Sequence, residues 1–142
     1  MTRKCKELKS RDEFELAFPI LKQLEPTLER QSYLKIMDEG VPQKMRAYGL
    51  WEGNILLSVA LAYVVQLIER EKLLWIYYLV TEESHRSKGY GAELLSFIES
   101  YARENNFQQL RVHSEVRRRD AHRFYETKGE MFHWANVYRK NL

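Results

Sequence analysis

A basic segment with two glycines is the part of the sequence best suited to hold a ligand. Residues 85–92 read His-Arg-Ser-Lys-Gly-Tyr-Gly-Ala and follow an apolar run, residues 73–80. The amphipathic residues 93–103 come next, so the order predicts a strand, a turn and a helix. The first N–H groups of a helix lack partners within it and lie at the positive end of its dipole. Glycine lets a backbone approach a phosphate closely, and Arg86 and Lys88 add positive charge. These features predict a site for a phosphorylated ligand.

The glycine spacing excludes two common phosphate-binding motifs. A dinucleotide-binding fingerprint requires a third small residue where this chain has Leu94. A Walker loop ends in Gly-Lys-Ser/Thr, which this segment lacks. Residues 86–91 instead form Arg-x-x-Gly-x-Gly, shortly after Leu-Val-Thr at residues 79–81. This pattern resembles the acyl-CoA-binding motif of the GNAT superfamily of N-acetyltransferases, whose loop holds the CoA pyrophosphate. The motif alone also fits an ordinary basic turn between a strand and a helix.

A second motif further along the chain strengthens the resemblance. Residues 120–129 read Asp-Ala-His-Arg-Phe-Tyr-Glu-Thr-Lys-Gly and resemble the family's signature Ala-x-x-Phe-Tyr-x-x-x-Gly. The two signatures stand in the family's order. Residues 114–117, running into this motif, resemble more narrowly a bacterial GNAT subgroup of uncertain substrate. That subgroup tends to carry acidic residues just before Leu-Val-Thr, where this chain has Tyr77 and Tyr78.

The resemblance implies an enzyme that transfers acetyl from acetyl-CoA to a primary amine of a small molecule or protein, by direct attack in a ternary complex. It implies that the pantetheine arm of this co-substrate fills a gap where the fourth strand parts from the fifth, with a backbone N–H near Leu79 or Val80 facing the thioester oxygen. The residues expected to bind acetyl-CoA are Leu79, Val80, Thr81, Arg86, Ser87, Lys88, Gly89, Tyr90, Gly91 and Ala92.

The expected catalytic residue is Tyr125, which matches the family tyrosine near the CoA sulfur. A phenol at that place can protonate the departing thiolate as a general acid. The identity of the general base is not assigned. It could be a water or a titratable side chain at either rim of the site. The candidates for such a side chain are Glu82, His85, His113, Ser114 and Glu115.

Two alternative functions stay open at this point. The first is a non-catalytic CoA-binding or regulatory module, which Tyr77 and Tyr78 in place of the expected acids would favour. The second is nucleic-acid binding through an arginine cluster, although no helix-turn-helix, zinc or RNP pattern accompanies it. The same cluster also fits a solvated face or a contact to the CoA phosphates. It comprises Arg111, Arg117, Arg118, Arg119 and Arg123.

Composition sets further limits. A chain of 142 residues with 44% hydrophobic and 13% aromatic content predicts one folded domain, residues 1–142. The net charge of +3 is too small to argue for nucleic acid, and the apolar runs fall short of the roughly 20 residues of a membrane span. Cys5, the sequence's one cysteine, and the lack of an apolar stretch after the basic N-terminus favour the cytoplasm. The histidines show no metal-ligand spacing, so no metal is expected.

Periodicity and turn signals predict a mixed α/β fold of the GNAT type in the order βααβββαβαβ. We expect a mostly antiparallel mixed sheet of six to seven strands flanked by about four helices. Ser10 and Glu13 form a capping box, Pro19 should kink or divide the first helix, and Thr27 should cap the second. Residues 131–139 are predicted as a final aromatic strand that could pair with a second copy, which leaves a homodimer open. Aromatic residues that could line the acceptor pocket are Tyr33, Trp51, Trp75, Tyr77 and Tyr78.

Overall fold

Five strands form one sheet, in the same order in space as along the chain. The structure is a computed structural model that describes residues 2–41 and 44–142. Neighbouring strands are antiparallel except the last two, which are parallel. Within the described residues the elements are β1 (Arg3–Leu8), α1 (Arg11–Leu24), α2 (Arg30–Gly40), β2 (Met45–Glu52), β3 (Ile55–Gln66), β4 (Lys72–Thr81), a short 3-10 turn (Glu83–His85), α3 (Tyr90–Glu104), β5 (Gln109–Val112) and α4 (Arg119–Thr127).

The N-terminal helices differ in detail from the prediction. The capping box of Ser10 and Glu13 is confirmed, with Glu13 N donating to Ser10 Oγ and Ser10 N donating back to the carboxylate. Pro19 lies inside α1, yet the helix runs unbroken from Arg11 to Leu24, so the predicted division of this helix is wrong. The second helix begins at Arg30 rather than after Thr27, because the Thr27 hydroxyl and amide both donate to Glu25 instead of capping a helix.

Helices cover both faces of the sheet. On one face α1 and α2 pack residues such as Leu21 and Met37 against the sheet, and on the other α3 packs Leu94 and Ile98. The spacing of these apolar positions gives each helix one buried stripe. Burying a side chain of this size typically contributes about 2 kcal/mol. The two layers hold β4 between them, and this strand carries part of the site.

The predicted last strand is not present. Residues 130–142 form neither strand nor helix, so the sheet has five strands and not the expected six to seven, and the order ends at α4. Phe132, Trp134 and Tyr138 are 78%, 73% and 90% exposed. The aromatic pattern is a local signal, whereas a strand also requires a neighbouring edge to satisfy its backbone. Within the described chain no edge pairs with this segment.

Two irregularities shape the end of β4. Leu61 lies opposite Tyr78 and Ala62 lies opposite Ile76, so Tyr77 is an extra residue that forms a β-bulge. The parallel pairing with β5 ends where Ile76 meets Val112, with one further bond from His113 N to Ile76 O. Beyond that point the two strands part. This is the gap that the family resemblance led us to expect.

No helix among the described residues is long and apolar enough to cross a membrane.

Candidate active site

The two sequence motifs line one cavity of about 520 Å³. The end of β4 and the glycine loop form one side, and α4 forms the other. Tyr125 is therefore brought next to the loop that precedes α3, although the two are far apart along the chain. The lining residues are Leu79, Thr81, Arg86, Ser87, Gly89, Tyr90, Gly91, Ala92, Arg118, Ala121, Phe124, Tyr125 and Lys128.

The glycine loop presents backbone donors to this cavity. Gly89 is the N-cap of α3 and has a φ of 84°, a left-handed conformation that side chains disfavour. No side chain caps the start of this helix, so its first N–H groups are available to an anion. Arg86 fixes the loop to the strand, because its Nε donates to Thr81 O at 3.0 Å. The local geometry is that of a phosphate site built from backbone.

A second glycine sets the position of α4. A Cβ at Gly129 would lie 2.7 Å from Tyr125 O and 3.2 Å from a methyl of Leu95. A side chain at this position would crowd the α4 backbone and the Leu95 side chain of α3, so glycine lets the end of α4 lie close to α3. The glycine of the second signature therefore helps to hold Phe124 and Tyr125 against the cavity.

Tyr125 has the properties of a proton donor. Burial raises the pKa of its phenol, and Arg118 opposes that shift only in part. The hydroxyl therefore stays protonated at neutral pH. Its ring packs edge-on against Phe124, with centroids 5.3 Å apart, and both rings contact the core cluster beneath α3. The side chain is thus held by packing and faces the cavity.

Two of the predicted acetyl-CoA residues lie outside the cavity lining. The Val80 side chain is buried on the opposite face of the sheet, among the residues that contact α1 and α2. Lys88 is exposed at the turn of the loop. The backbone of Val80 still runs along the gap beside β5, which is the role that the family resemblance gave it.

The arginine cluster does not act as one patch. Arg118 lines the cavity, whereas Arg117 pairs with Glu115 at 2.7 Å and Arg111 lies over the Trp75 ring at 5.6 Å. Sequence reasoning missed Lys128, which adds a third positive charge to the lining, beside Arg86 and Arg118. Its position at the end of α4, one residue before Gly129, was the available signal.

The candidate bases are dispersed. His85 lies 3.9 Å from Glu82, and hydrogen bonds from Ser84 hold the pKa of the Glu82 carboxyl below its usual range. At the other rim His113 stacks on Tyr77 with centroids 5.4 Å apart, while Ser114 Oγ is shielded and lacks a partner among the described residues. Neither His85 nor Glu82 lines the cavity that contains Tyr125.

A second cavity of about 390 Å³ lies at the bulge side of β4. Tyr63 and Tyr77 form its aromatic part, and the rest of the lining is Lys44, Val64, Val65 and Gln66. Two other expected pocket residues lie elsewhere. Tyr33 is buried and its hydroxyl donates to Phe14 O, and Trp51 packs against the α1–α2 core.

No cluster of three or more histidine, cysteine or acidic side chains suited to a metal ion occurs in residues 2–41 and 44–142.

Comparison with known proteins identifies similar chains. Residues 10–129 match the model of the acetyltransferase (GNAT) family. An uncharacterized N-acetyltransferase of Bacillus subtilis (strain 168), YhdJ, is 32% identical over 124 residues, which are 87% of each chain. A transcriptional regulator from Bacillus halodurans C-125 is 18% identical, with a TM-score of 0.86 over 99% of both chains. The aminoglycoside N-acetyltransferase AAC(6')-Iy in complex with CoA is 13% identical, with a TM-score of 0.83 over 99% of this chain and 96% of that one.

Proposed function

Because the chain belongs to the GNAT family of acetyltransferases, we propose that it transfers acetyl from acetyl-CoA to a primary amine. The observation that carries this proposal is that both family signatures line one cavity, with a left-handed glycine at its mouth and Tyr125 opposite. The reaction joins acetyl-CoA and the amine in one ternary complex and needs no covalent enzyme intermediate.

The residues present fit acetyl-CoA. The uncapped start of α3 and the Gly89 turn suit the pyrophosphate, and Arg86, Arg118 and Lys128 add positive charge in the same lining. The gap between β4 and β5 suits an extended pantetheine arm, because the β4 backbone beyond Ile76 has no β5 neighbour there. The backbone of Leu79, Val80 and Thr81 would pair with that arm, as a further strand would.

In this proposal the chain performs three tasks. Bound acetyl-CoA supplies an acetyl group activated as a thioester. A backbone N–H near Leu79 or Val80 donates to the carbonyl oxygen while the amine nitrogen forms a bond to the carbonyl carbon, and such a donor typically contributes about 3 kcal/mol. Tyr125 gives its proton to the sulfur as the carbon–sulfur bond breaks. The amine loses its proton through water, since no described side chain is arranged as its base.

A small molecule is the acceptor we favour over a protein. The aminoglycoside acetyltransferases with the same fold act on small amines, and the 390 Å³ cavity beside Tyr77 is the size of a small-molecule site. The sequence's one cysteine supports a reducing cytoplasm as the place of this activity. The exposed aromatic residues at 130–142 support a homodimer.

The test is product formation. The purified protein would be incubated with acetyl-CoA and pooled primary amines, and free CoA thiol and acetylated products would be measured. Acetylation of an amine that depends on the protein and is reduced in Tyr125→Phe supports the proposal. Tight acetyl-CoA binding without turnover of any amine would instead favour a non-catalytic CoA-binding module.

A further inference from the structure

Four rings form a contiguous surface beside the bulge of β4, called here the aromatic cluster: Tyr63, Trp75, Tyr77 and His113. Tyr77 is at its centre. Its ring is perpendicular to Tyr63 at 4.9 Å and stacks with Trp75 at 5.8 Å and with His113 at 5.4 Å, centroid to centroid. The cluster joins two neighbouring strands, β3 and β4, and continues onto the residue that follows β5.

The aromatic cluster is not part of the protein core. None of its members belongs to either buried cluster of the fold, and Tyr63 and Tyr77 are 37% and 39% exposed. Tyr77 is the extra residue of the bulge, and bulges re-aim side chains beside functional sites. Large rings that are ordered against one another and still reach solvent offer a stacking surface to a ligand.

The cavity in front of these rings is basic and not acidic. Lys44 lines it, next to β3, where Lys44 O accepts a bond from Val64 N. Arg111 lies over the outer ring of the cluster, Trp75. None of the six lining residues carries a carboxylate. An anionic group of a ligand in this cavity could therefore pair with Lys44.

The aromatic cluster reaches the gap between β4 and β5, where the thioester is proposed to lie. His113, one of its members, makes the last bond between these two strands, from its N to Ile76 O. Tyr78 directly follows Tyr77 and directly precedes Leu79, which lines the acetyl-CoA cavity. Two residues of strand span about 6.6 Å. A small molecule bound on the aromatic cluster would therefore lie beside the gap proposed for the pantetheine arm.

We propose that the acceptor is an aromatic amine that carries a carboxylate, an aromatic amino acid being the simplest member of this class. Its ring stacks on Tyr77 and Tyr63, its carboxylate pairs with Lys44, and its amine lies at the gap between β4 and β5. This inference rests on the proposed acetyltransfer.

The same features disfavour polycationic acceptors. An aminoglycoside or a polyamine carries several ammonium groups, and burying each of them requires a partner that compensates its charge. The described lining of this cavity contains no carboxylate, and Lys44 repels a cation there. The resembling bacterial subgroup tends to have acids where this chain has Tyr77 and Tyr78. The chain therefore shares its fold with aminoglycoside acetyltransferases but presents a different acceptor surface.

The test compares kcat/KM for acetylation of five amines by the full-length protein: phenylalanine, phenylethylamine, cyclohexylalanine, spermidine and kanamycin. We expect phenylalanine to be the best of these. Removing its carboxylate should lower kcat/KM about fivefold, as for a partly exposed ion pair. Replacing its ring by cyclohexyl should lower kcat/KM about fivefold, because the aromatic stacking interaction is lost.

Two variants assign these preferences to residues. Lys44→Met should remove the difference between phenylalanine and phenylethylamine, and Tyr77→Leu should remove the difference between phenylalanine and cyclohexylalanine. The matched controls are Lys4→Met, on the exposed face of β1 at the other edge of the sheet, and Tyr138→Leu, in the exposed C-terminal segment. Both controls should keep the wild-type order of substrates. All four variants should keep wild-type affinity for acetyl-CoA.

The outcomes separate this inference from the proposed function. No binding of acetyl-CoA would overturn the proposed function itself. Acetyl-CoA binding with spermidine or kanamycin as the best acceptor, or with no turnover of either carboxylated amine, would overturn the acceptor assignment alone. So would a Tyr77→Leu enzyme that still distinguishes phenyl from cyclohexyl as the wild type does.

Discussion

The two cavities of this protein are built from different parts of the chain. The cavity proposed for acetyl-CoA is formed largely by backbone: a left-handed Gly89, the free start of α3 and a strand edge that β5 leaves open. The cavity beside the bulge is formed largely by side chains, with Tyr63, Tyr77 and Lys44 setting its chemistry. Backbone sites are set by a few glycines at fixed spacing. Side-chain sites depend on which residues the fold brings together.

This difference has a functional consequence. A backbone site binds the same group whatever the neighbouring side chains are, so it suits a common co-substrate. A side-chain site changes its ligand with one or two substitutions, so it suits a variable acceptor. Mutations should accordingly have separate effects at the two cavities. Changes at the first should alter the affinity for acetyl-CoA, and changes at the second should alter only the kinetics with the amine.

The largest effect is expected for Gly89→Val. Valine cannot adopt a φ of 84° without strain, so the loop should lose its shape and acetyl-CoA affinity should fall by at least ~100-fold. Calorimetric titration with acetyl-CoA measures this. The control is Gly53→Val, which imposes the same kind of strain at a φ of 61° in the turn between β2 and β3 and should leave affinity unchanged. Wild-type affinity in a folded Gly89→Val protein would refute the assignment of the pyrophosphate site.

Removal of the proposed acid should affect chemistry and not binding. Tyr125→Phe keeps the ring packing against Phe124 but removes the proton donor, so kcat should fall by about 100-fold while acetyl-CoA affinity stays near the wild-type value. Steady-state kinetics with the identified amine, together with a binding titration, measure both. If kcat were unchanged, another group would have to protonate the sulfur.

The pH dependence of kcat gives a finer test of the same residue. Burial raises the pKa of Tyr125 above its ordinary value of 10.0, and an acid acts while it is protonated. Titration of this phenol should therefore lower kcat only above pH 10, and the Tyr125→Phe variant should lack that alkaline decrease. A wild-type decrease centred below pH 9 that disappears in the variant would contradict the buried, protonated phenol.

The smallest effect is expected for a change of Glu13, at the start of α1, on the stability of the fold. Burial alone would raise the pKa of Glu13, but Lys6 and the amides of Lys9 and Ser10 outweigh it and lower the pKa to about 2. Because the folded pKa is depressed, this stabilisation is complete above the unfolded value of 4.5 and is lost as pH falls toward 2. Glu13→Gln should cost about 1 kcal/mol at pH 7.

Thermal or urea unfolding across this pH range measures the difference between wild type and Glu13→Gln. The difference should shrink steadily below pH 4.5. A difference that is independent of pH would show that Glu13 stabilises α1 by packing instead of charge. Acetyl-CoA affinity should not change in either case, which separates the scaffold of the acceptor side from the co-substrate cavity.

The sequence was most informative where local rules decide the structure. The capping box at Ser10, the strands up to β4 and the glycine turn at Gly89 follow from propensity and φ/ψ limits, and the structure has them. The final strand at residues 131–139 was predicted on the same grounds and is absent, because a strand also needs a partner edge. The meeting of Tyr63 with Tyr77 depends on register and a bulge, which no local pattern contains.

The candidate site likewise contains residues that local sequence patterns predict and residues whose roles depend on the fold. The loop residues near Gly89 and Tyr125 were predicted from two motifs, and the fold places them around one cavity. Arg118 was predicted only as one of five arginines that could contact the CoA phosphates, and Lys128 was not predicted, because their positions depend on how α4 docks. Lys44 was not predicted at all, since its link to the acceptor cavity exists only through the neighbouring end of β3.

The most direct test of the account is the unfolding temperature of the purified protein with acetyl-CoA, ATP or NADPH at the same concentration. A ligand at about 100 times its Kd should stabilise the fold by roughly 2.7 kcal/mol, which is a shift of about 9 °C for a domain of this size. We predict a shift of this order with acetyl-CoA and a much smaller one with ATP or NADPH. Equal shifts with all three would mean a general phosphate site, and no shift with acetyl-CoA would contradict the central claim that the two signatures form its binding site.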